Sequence, residues 1–163
     1  MPRHPKRRSS LKRIRLLLLD VDGVMSDGGV YYTESGDELK KFNIQDGYGI
    51  VRLRDAGVAV GLITGRISTL VRRRAAELGI TEVHQNLTDK RGTYEEIKAR
   101  LGLADEEIAY MGDDEPDLPV LQAVGFSAAP ANAVESVKRT VQYVCRRNGG
   151  EGAVREVIEL ILG

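Results

Sequence analysis

The sequence predicts an α/β domain: a three-layer, doubly wound parallel sheet with helices on both faces. Three observations lead there. Leu16-Leu17-Leu18-Leu19, flanked by Ile14 and Val21, is an unbroken apolar run of strand length, the pattern of a strand buried on both faces. Similar short apolar runs recur down the chain and alternate with helix-length segments, as βα repeats require. Small polar and acidic residues follow directly on these runs: Asp20 and Asp22 after the first, Thr64 after the second, Asp113 and Asp114 after the fourth. The carboxyl ends of the strands are where an open α/β sheet binds its ligand.

Taken in order, the first strand ends in Asp20-Val21-Asp22-Gly23-Val24, and Gly23 permits a sharp turn that brings backbone N–H groups near whatever Asp20 faces. Val30 to Thr33 and Glu38 to Phe42, joined by Glu34-Ser35-Gly36-Asp37, read as a hairpin inserted over that end of the sheet. Asn43-Ile44-Gln45-Asp46 opens a helix running to about Ala56, and Gly57 stops it. Val58 to Ile63 is the second buried strand. Thr64-Gly65-Arg66 follows it, with Arg66 at the start of a helix that runs to Leu78 and closes at Gly79. Thr81 to His84 is a short third strand. Thr88 caps the next helix, which has Lys90 at its start and ends at Leu101 before Gly102. Glu107 to Met111 is the fourth strand, closing on Gly112-Asp113-Asp114. A helix over Leu118 to Ala123, a strand over Gly125 to Ala128, a helix near Ala133 to Arg139, a strand over Gln142 to Val144 and a helix from Glu151 to Leu162 complete the series.

A chain of 163 residues suffices for one core, and neither a repeat nor a second domain is visible. Cys145 is the only cysteine, which excludes an intrachain disulfide and a thiolate zinc site and suits a reducing, cytosolic location. No apolar run reaches the length of a membrane span, and the basic start leads into a run that ends in acids, unlike a signal peptide. Basic and acidic residues balance at 24 each, but residues 1–15 carry Arg3, Lys6, Arg7, Arg8, Lys12, Arg13 and Arg15 with no acid. Residues 1–13 are therefore expected to form a solvated, disordered arm, and residues 14–163 the single domain. Aromatic residues are few and do not interleave with the basic ones, which argues against a nucleic-acid stacking surface.

Each strand-end residue alone has a plain structural explanation: Thr64 as a helix cap, Lys90 as surface, Asp113 and Asp114 as turn formers. Together they form the set that phosphoryl transfer through a carboxylate requires. A carboxylate attacks phosphorus only if its repulsion from the phosphate is offset, for which a magnesium ion on oxygen ligands is suited. The phosphate oxygens need a hydroxyl donor and a fixed cation. A second carboxylate must protonate the leaving alkoxide and later deprotonate water.

Asp20-Val21-Asp22-Gly23-Val24, Ile63-Thr64-Gly65-Arg66, Lys90 and Gly112-Asp113-Asp114 resemble, in type and order, the four motifs of the haloacid-dehalogenase phosphohydrolase superfamily. The hairpin, Glu38 to Ile50, and Gly149-Gly150-Glu151-Gly152-Ala153-Val154-Arg155-Glu156-Val157 resemble its capless branch, the 3-deoxy-D-manno-octulosonate 8-phosphate phosphatases, over nearly everything from Arg15 onward. The resemblance implies a Rossmann-like fold with an inserted β-hairpin and no cap domain. It implies Asp20 as nucleophile, Asp22 as general acid/base, and Thr64 and Lys90 as phosphate ligands. Mg2+ would be held by the Asp20 carboxylate, the Asp22 backbone carbonyl and Asp113, with Asp114 and Asp117 supporting from behind. Asp22, Asn43, Ile44, Gln45, Asp46, Gly47, Arg66, Arg74 and Lys90 would bind an acidic sugar phosphate on the route to lipopolysaccharide. A homotetramer joined through the hairpins would cover each site, with no nucleic-acid or membrane partner. Two positions depart from the pattern: Val51 stands where a basic residue is expected, with Arg52 next to it, and the chain ends at Gly163, where members of the branch often carry a tail. A phosphatase of a nine-carbon ulosonate 9-phosphate and a non-catalytic oligomerisation module are the alternatives. The complete Asp20, Asp22, Thr64, Lys90 and Asp113 set argues against the second. A receiver domain is set aside because its phosphorylated aspartate ends the third strand, not the first.

Overall fold

The computed structural model describes residues 11–163. The elements follow the predicted order. β1 (Leu16–Leu19) leads to the hairpin strands β2 (Tyr31–Tyr32) and β3 (Glu38–Leu39), and α1 (Ile44–Asp55) to β4 (Ala59–Ile63). Then come α2 (Thr69–Glu77), β5 (Glu82–His84), α3 (Lys90–Leu101), β6 (Ile108–Met111) and α4 (Leu118–Leu121). β7 (Phe126–Ala129), α5 (Glu135–Thr140), β8 (Tyr143–Val144) and α6 (Ala153–Leu162) close the fold. Six strands form one sheet in the order β5-β4-β1-β6-β7-β8, every pair parallel.

Strand β1 lies in the middle of this sheet, and all four of its leucines are buried. Because successive side chains leave a strand on opposite faces, the run divides between two cores. Leu17 and Leu19 pack with Ile50, Leu53, Val71, Val157 and Ile158 under α1, α2 and α6. Leu16 and Leu18 pack with Tyr94, Ile97, Val120 and Val137 under α3, α4 and α5. Each fully buried leucine contributes about 1.5–3 kcal/mol from loss of water contact, which is why an unbroken apolar run is stable only where both faces are covered. Leu19 pairs with Leu62 on one side and Met111 on the other. That register carries Thr64 and Asp113 one residue beyond the level of Asp20, on its two sides.

Several element ends fall a residue or two from expectation, the last helix starting at Ala153 rather than Glu151, and three differences have a local cause. Leu11 is already buried in the core beside Ile14, so packing begins before residue 14; residues 1–10 of the expected basic arm lie outside the described residues. The helix after β5 is capped by Asp89 rather than Thr88: the Asp89 carboxylate accepts the Gly92 N–H at 2.9 Å. Both residue types cap well, and the carboxylate adds a charge that suits the positive helix end. The helix after β4 begins at Thr69, where the Ser68 hydroxyl accepts the Leu70 N–H. Arg66 therefore sits in the connecting bend, three residues ahead of the helix that it was expected to open.

Candidate active site

The carboxyl edge of the sheet holds a cleft of about 540 Å³ lined by Asp20, Asp22, Thr64, Arg66, Lys90, Asp113 and Asp117 among others. Asp20 sits one residue past β1, its own N–H on the Met111 carbonyl and its Oδ1 accepting the Val21 N–H at 2.8 Å. Thr64 follows β4 and is buried, its N–H on the His84 carbonyl. Lys90 opens α3, the end of a helix where a cation is least favoured. It is held there by acids: Nζ lies 2.7 Å from Asp117 Oδ1 and 3.1 Å from Asp20 Oδ1.

Asp117 organises the far wall. Its Oδ1 accepts from Lys90 and from the buried Tyr110 hydroxyl at 2.5 Å, and its Oδ2 accepts the N–H groups of Asp113 and Asp114. With both oxygens engaged, it fixes the loop after β6. Asp114 caps the one-turn helix that follows, accepting the Glu115 N–H at 2.7 Å.

Carboxylate oxygens of Asp20, Asp113 and Asp117 all lie within 4.8 Å of one another. Burial, then the neighbouring Asp117, raises the Asp20 pKa well above the ordinary carboxylate value, although Lys90 pulls it down. Burial likewise pushes Asp113 up to about 6, with Asp117 and Asp114 adding to the rise. On Lys90, desolvation opposes the charge, but Asp20 and Asp117 outweigh it and hold the ammonium above its ordinary value. Three carboxylates against one ammonium leave the cluster short of positive charge. An all-oxygen donor set of this kind fits a hard divalent cation such as Mg2+.

The remaining candidates divide. Asp22 and Arg66 line the cleft. Asp22 Oδ1 receives Lys40 Nζ at 2.6 Å, and Arg66 Nη2 lies 3.3 Å from Glu38 Oε1. Asn43, Ile44, Gln45, Asp46, Gly47 and Arg74 do not line it. Asn43 caps α1 by accepting the Asp46 N–H, and Ile44 is 86% exposed on the outside of that helix. Asp46 is buried and turned toward α6, where Oδ1 accepts the Arg155 N–H at 2.8 Å. Gly152, the residue at the N-cap of α6, has no side chain to do this, so Asp46 caps the helix from outside its own segment. Arg74 lies against Gly47, pairs with Glu77, and lines a second cleft of about 230 Å³ with Glu38, Lys40 and Phe42. Lys40, Glu38 and Tyr110 were not picked out from sequence. The signal available was the alternation in the second hairpin strand, which puts Glu38 and Lys40 on one face.

The fold and this edge, with a strand-end carboxylate, a fixed ammonium and a cluster of acids suited to a cation, define a class: hydrolases of phosphate esters. Residues 63–158 match the haloacid dehalogenase-like hydrolase family. The chain is 50% identical over 149 residues to the 3-deoxy-D-manno-octulosonate 8-phosphate phosphatase KdsC of Yersinia pestis, covering 91% of this chain and 80% of that protein. The crystal structure of the Yersinia pestis phosphatase superposes with a TM-score of 0.95 at 46% identity, covering 99% of this chain and 87% of that one. That of the Moraxella catarrhalis phosphatase, in complex with magnesium ion, phosphate ion and KDO, also gives 0.95, at 40% identity over 98% of this chain and 92% of that one. This chain belongs to the haloacid dehalogenase-like hydrolases.

Proposed function

We propose that this chain is a magnesium-dependent phosphatase that hydrolyses 3-deoxy-D-manno-octulosonate 8-phosphate to the free sugar acid and phosphate, a step toward lipopolysaccharide. The observation that carries the reading is the cluster in one cleft: oxygens of Asp20, Asp113 and Asp117 within 4.8 Å of one another, Lys90 paired with Asp20 and Asp117, and Thr64 on the same lining. The identity to phosphatases of that substrate supports the choice of sugar acid.

The Asp20 carboxylate, the Asp22 backbone carbonyl and Asp113 would hold the ion, which when bound neutralises the crowded carboxylates and polarises the phosphoryl group. Asp20 attacks phosphorus as the bond to the ester oxygen breaks, and Asp22 gives its proton to that oxygen. In the second half, Asp22 takes a proton from water, whose oxygen attacks phosphorus and releases Asp20 and inorganic phosphate. Lys90 and the Thr64 hydroxyl take the negative charge that spreads over the phosphoryl oxygens. Arg66, at the cleft mouth, offers a forked donor to the substrate carboxylate.

We further propose a homotetramer joined through the hairpins, working in the reducing cytosol. Val30, Tyr31, Tyr32 and Leu39 of the hairpin and Ile44 and Tyr48 of α1 are exposed apolar or aromatic side chains. A two-stranded hairpin is marginal without packing partners. A neighbouring subunit is also the route by which Arg74 and residues 43–47 could serve a catalytic cleft that they do not line in their own chain.

Steady-state turnover with magnesium, across octulosonate 8-phosphate, a nine-carbon ulosonate 9-phosphate and simple sugar phosphates, tests the reading. The highest kcat/KM is expected for the first, with loss of activity in EDTA. Preference for the nine-carbon ester selects the alternative sugar acid, and no turnover of any ester would favour an oligomerisation module. Arg66→Ala is expected to cost the carboxylated ester roughly ten- to a hundredfold in kcat/KM, the worth of a charge-assisted hydrogen bond. A small phosphate ester without a carboxylate should lose far less. An equal loss on both would remove Arg66 from carboxylate recognition.

A further inference from the structure

The least expected residue near the cleft is Lys40, at the end of the inserted hairpin. Its side chain is only 2% exposed, yet it carries an ammonium. Nζ lies 2.6 Å from Asp22 Oδ1 and 3.1 Å from Glu38 Oε1, and the same Glu38 oxygen lies 3.3 Å from Arg66 Nη2. Among the described residues the hairpin adds no strand to the main sheet; beyond its own two strands, the one further bridge is Ser26 to Phe42. Lys40 is thus a charged strut from the hairpin into the cleft.

Stability does not explain it. Taking an ammonium out of water costs several kcal/mol, and an ion pair in such a place is often matched or bettered by a well-packed apolar side chain. What the ion pair supplies is direction. An aspartate side chain has several staggered orientations about χ1, and a short charge-assisted bond at Oδ1 selects one of them. No hydrogen bond among the described residues falls on the other oxygen, Oδ2. From these contacts we infer that Lys40 is a positioning residue for Asp22: it ties down Oδ1 so that Oδ2 is the oxygen presented to the ester oxygen and to the attacking water. Glu38 holds Lys40 from the far side, and Arg66 shares Glu38, so the strut ends on the residue proposed to meet the substrate carboxylate.

The inference rests on Asp22 being the acid/base group, and its test separates the two. A proton donor matters to an alkyl ester, whose alkoxide leaves poorly, and little to p-nitrophenyl phosphate, whose phenolate leaves unaided. Lys40→Met and Asp22→Asn are compared with the unaltered protein on an alkyl sugar phosphate in steady state. On p-nitrophenyl phosphate, the first release of p-nitrophenolate is followed by rapid mixing, before any hydrolysis of the phosphorylated enzyme counts.

Lys40→Met should lower kcat on the alkyl ester roughly ten- to a hundredfold, a part of the ~10²–10⁴ that positioned acid–base catalysis supplies, with KM little changed. The first p-nitrophenolate release should fall no more than about threefold, which also shows that the variant is folded. If the apolar side chain prevents folding, Lys40→Gln, uncharged and too short to reach Asp22 at the same distance, is read in the same way. Equal losses on both esters, or no loss on either, would overturn the role of Lys40 while Asp22→Asn still discriminates between them. If Asp22→Asn itself fails to discriminate, the acid/base assignment falls, and the positioning role with it.

Discussion

Gly23→Ala isolates the geometry of the cation site from the stability of the fold. Gly23 has φ of +84°, in the region that L side chains rarely occupy, and a Cβ built there would lie 2.0 Å from Asp113 Oδ2. Such contacts do not fall below 3.0 Å, so something must move by about 1 Å. Movement of the turn is opposed where Gly149 packs closely on it: a Cβ on that residue would stand 1.9 Å from the Gly23 carbonyl oxygen. The Asp113 side chain, whose carboxylate end meets the new Cβ, is the group expected to give way. The backbone penalty is about 1–2 kcal/mol for a left-handed non-glycine residue, which for a domain of this size lowers Tm by roughly 2–8 °C. Displacing a group that aligns the reaction by 1 Å costs roughly a hundredfold in rate. The expected variant is folded at 25 °C, turns over about a hundredfold more slowly, and needs more magnesium for half-maximal rate. Turnover at several magnesium concentrations, with a thermal melt of the same preparation, makes the comparison. An alanine variant with the parental rate and magnesium requirement would refute the placement of Asp113 in the site.

Two further perturbations test other parts of the reasoning. Asp20→Asn removes a charge from a crowded, buried cluster, so kcat should fall by roughly three orders of magnitude or more while Tm stays the same or rises; appreciable turnover in a clean preparation would exclude Asp20 as nucleophile. Burial raises the Asp46 pKa to about 6 from an ordinary 3.8, against the N–H groups of Arg155 and Gly152 and the charges of Arg147 and Arg155. The folded state then binds the extra proton between those values, so this group's contribution to stability is lost as pH rises from about 4 to 6, by up to about 3 kcal/mol. Asp20 and Asp113, raised likewise, act in both proteins, so urea unfolding from pH 4 to 7.5 should show the parent losing stability relative to Asp46→Asn by up to that amount, and parallel curves would refute it.

The parts of the molecule that repeat locally were legible in the sequence. Leu16–Leu19 gave the central strand because a doubly covered strand has no polar face to interrupt it. Asp20, Thr64, Lys90 and Asp113 could be placed together because a parallel sheet sends every strand end to one edge. Local competition blurred other positions: Thr88 and Asp89 both cap well, and Thr64, Ser68 and Thr69 all offered a helix start, so Arg66 was set too close to α2. What could not be read were bonds between distant segments. Asp46 looks like a first-turn acid of its own helix, yet its carboxylate caps a helix 109 residues further on. Lys40 looks like a surface strand residue, and its burial depends on where the hairpin folds back over Asp22. The Tyr110 hydroxyl is only seven residues from Asp117, but its bond depends on the turn after β6 folding Asp117 back over the strand, which no local pattern marks.

The packing of Gly149 against Gly23 also orders events during synthesis. The strand that ends in Asp20 leaves the ribosome before the other strands of its sheet, and the loop that braces its turn leaves after all of them. Until β4 and β6 emerge, the four leucines have no strand partners, and such an unpaired apolar strand is prone to aggregate. Contacts at such sequence separation form late and slowly. A nascent chain thus carries Asp20 early, but the turn that follows it gains its brace only when Gly149 and Gly150 have emerged to pack against Gly23 and Ser26.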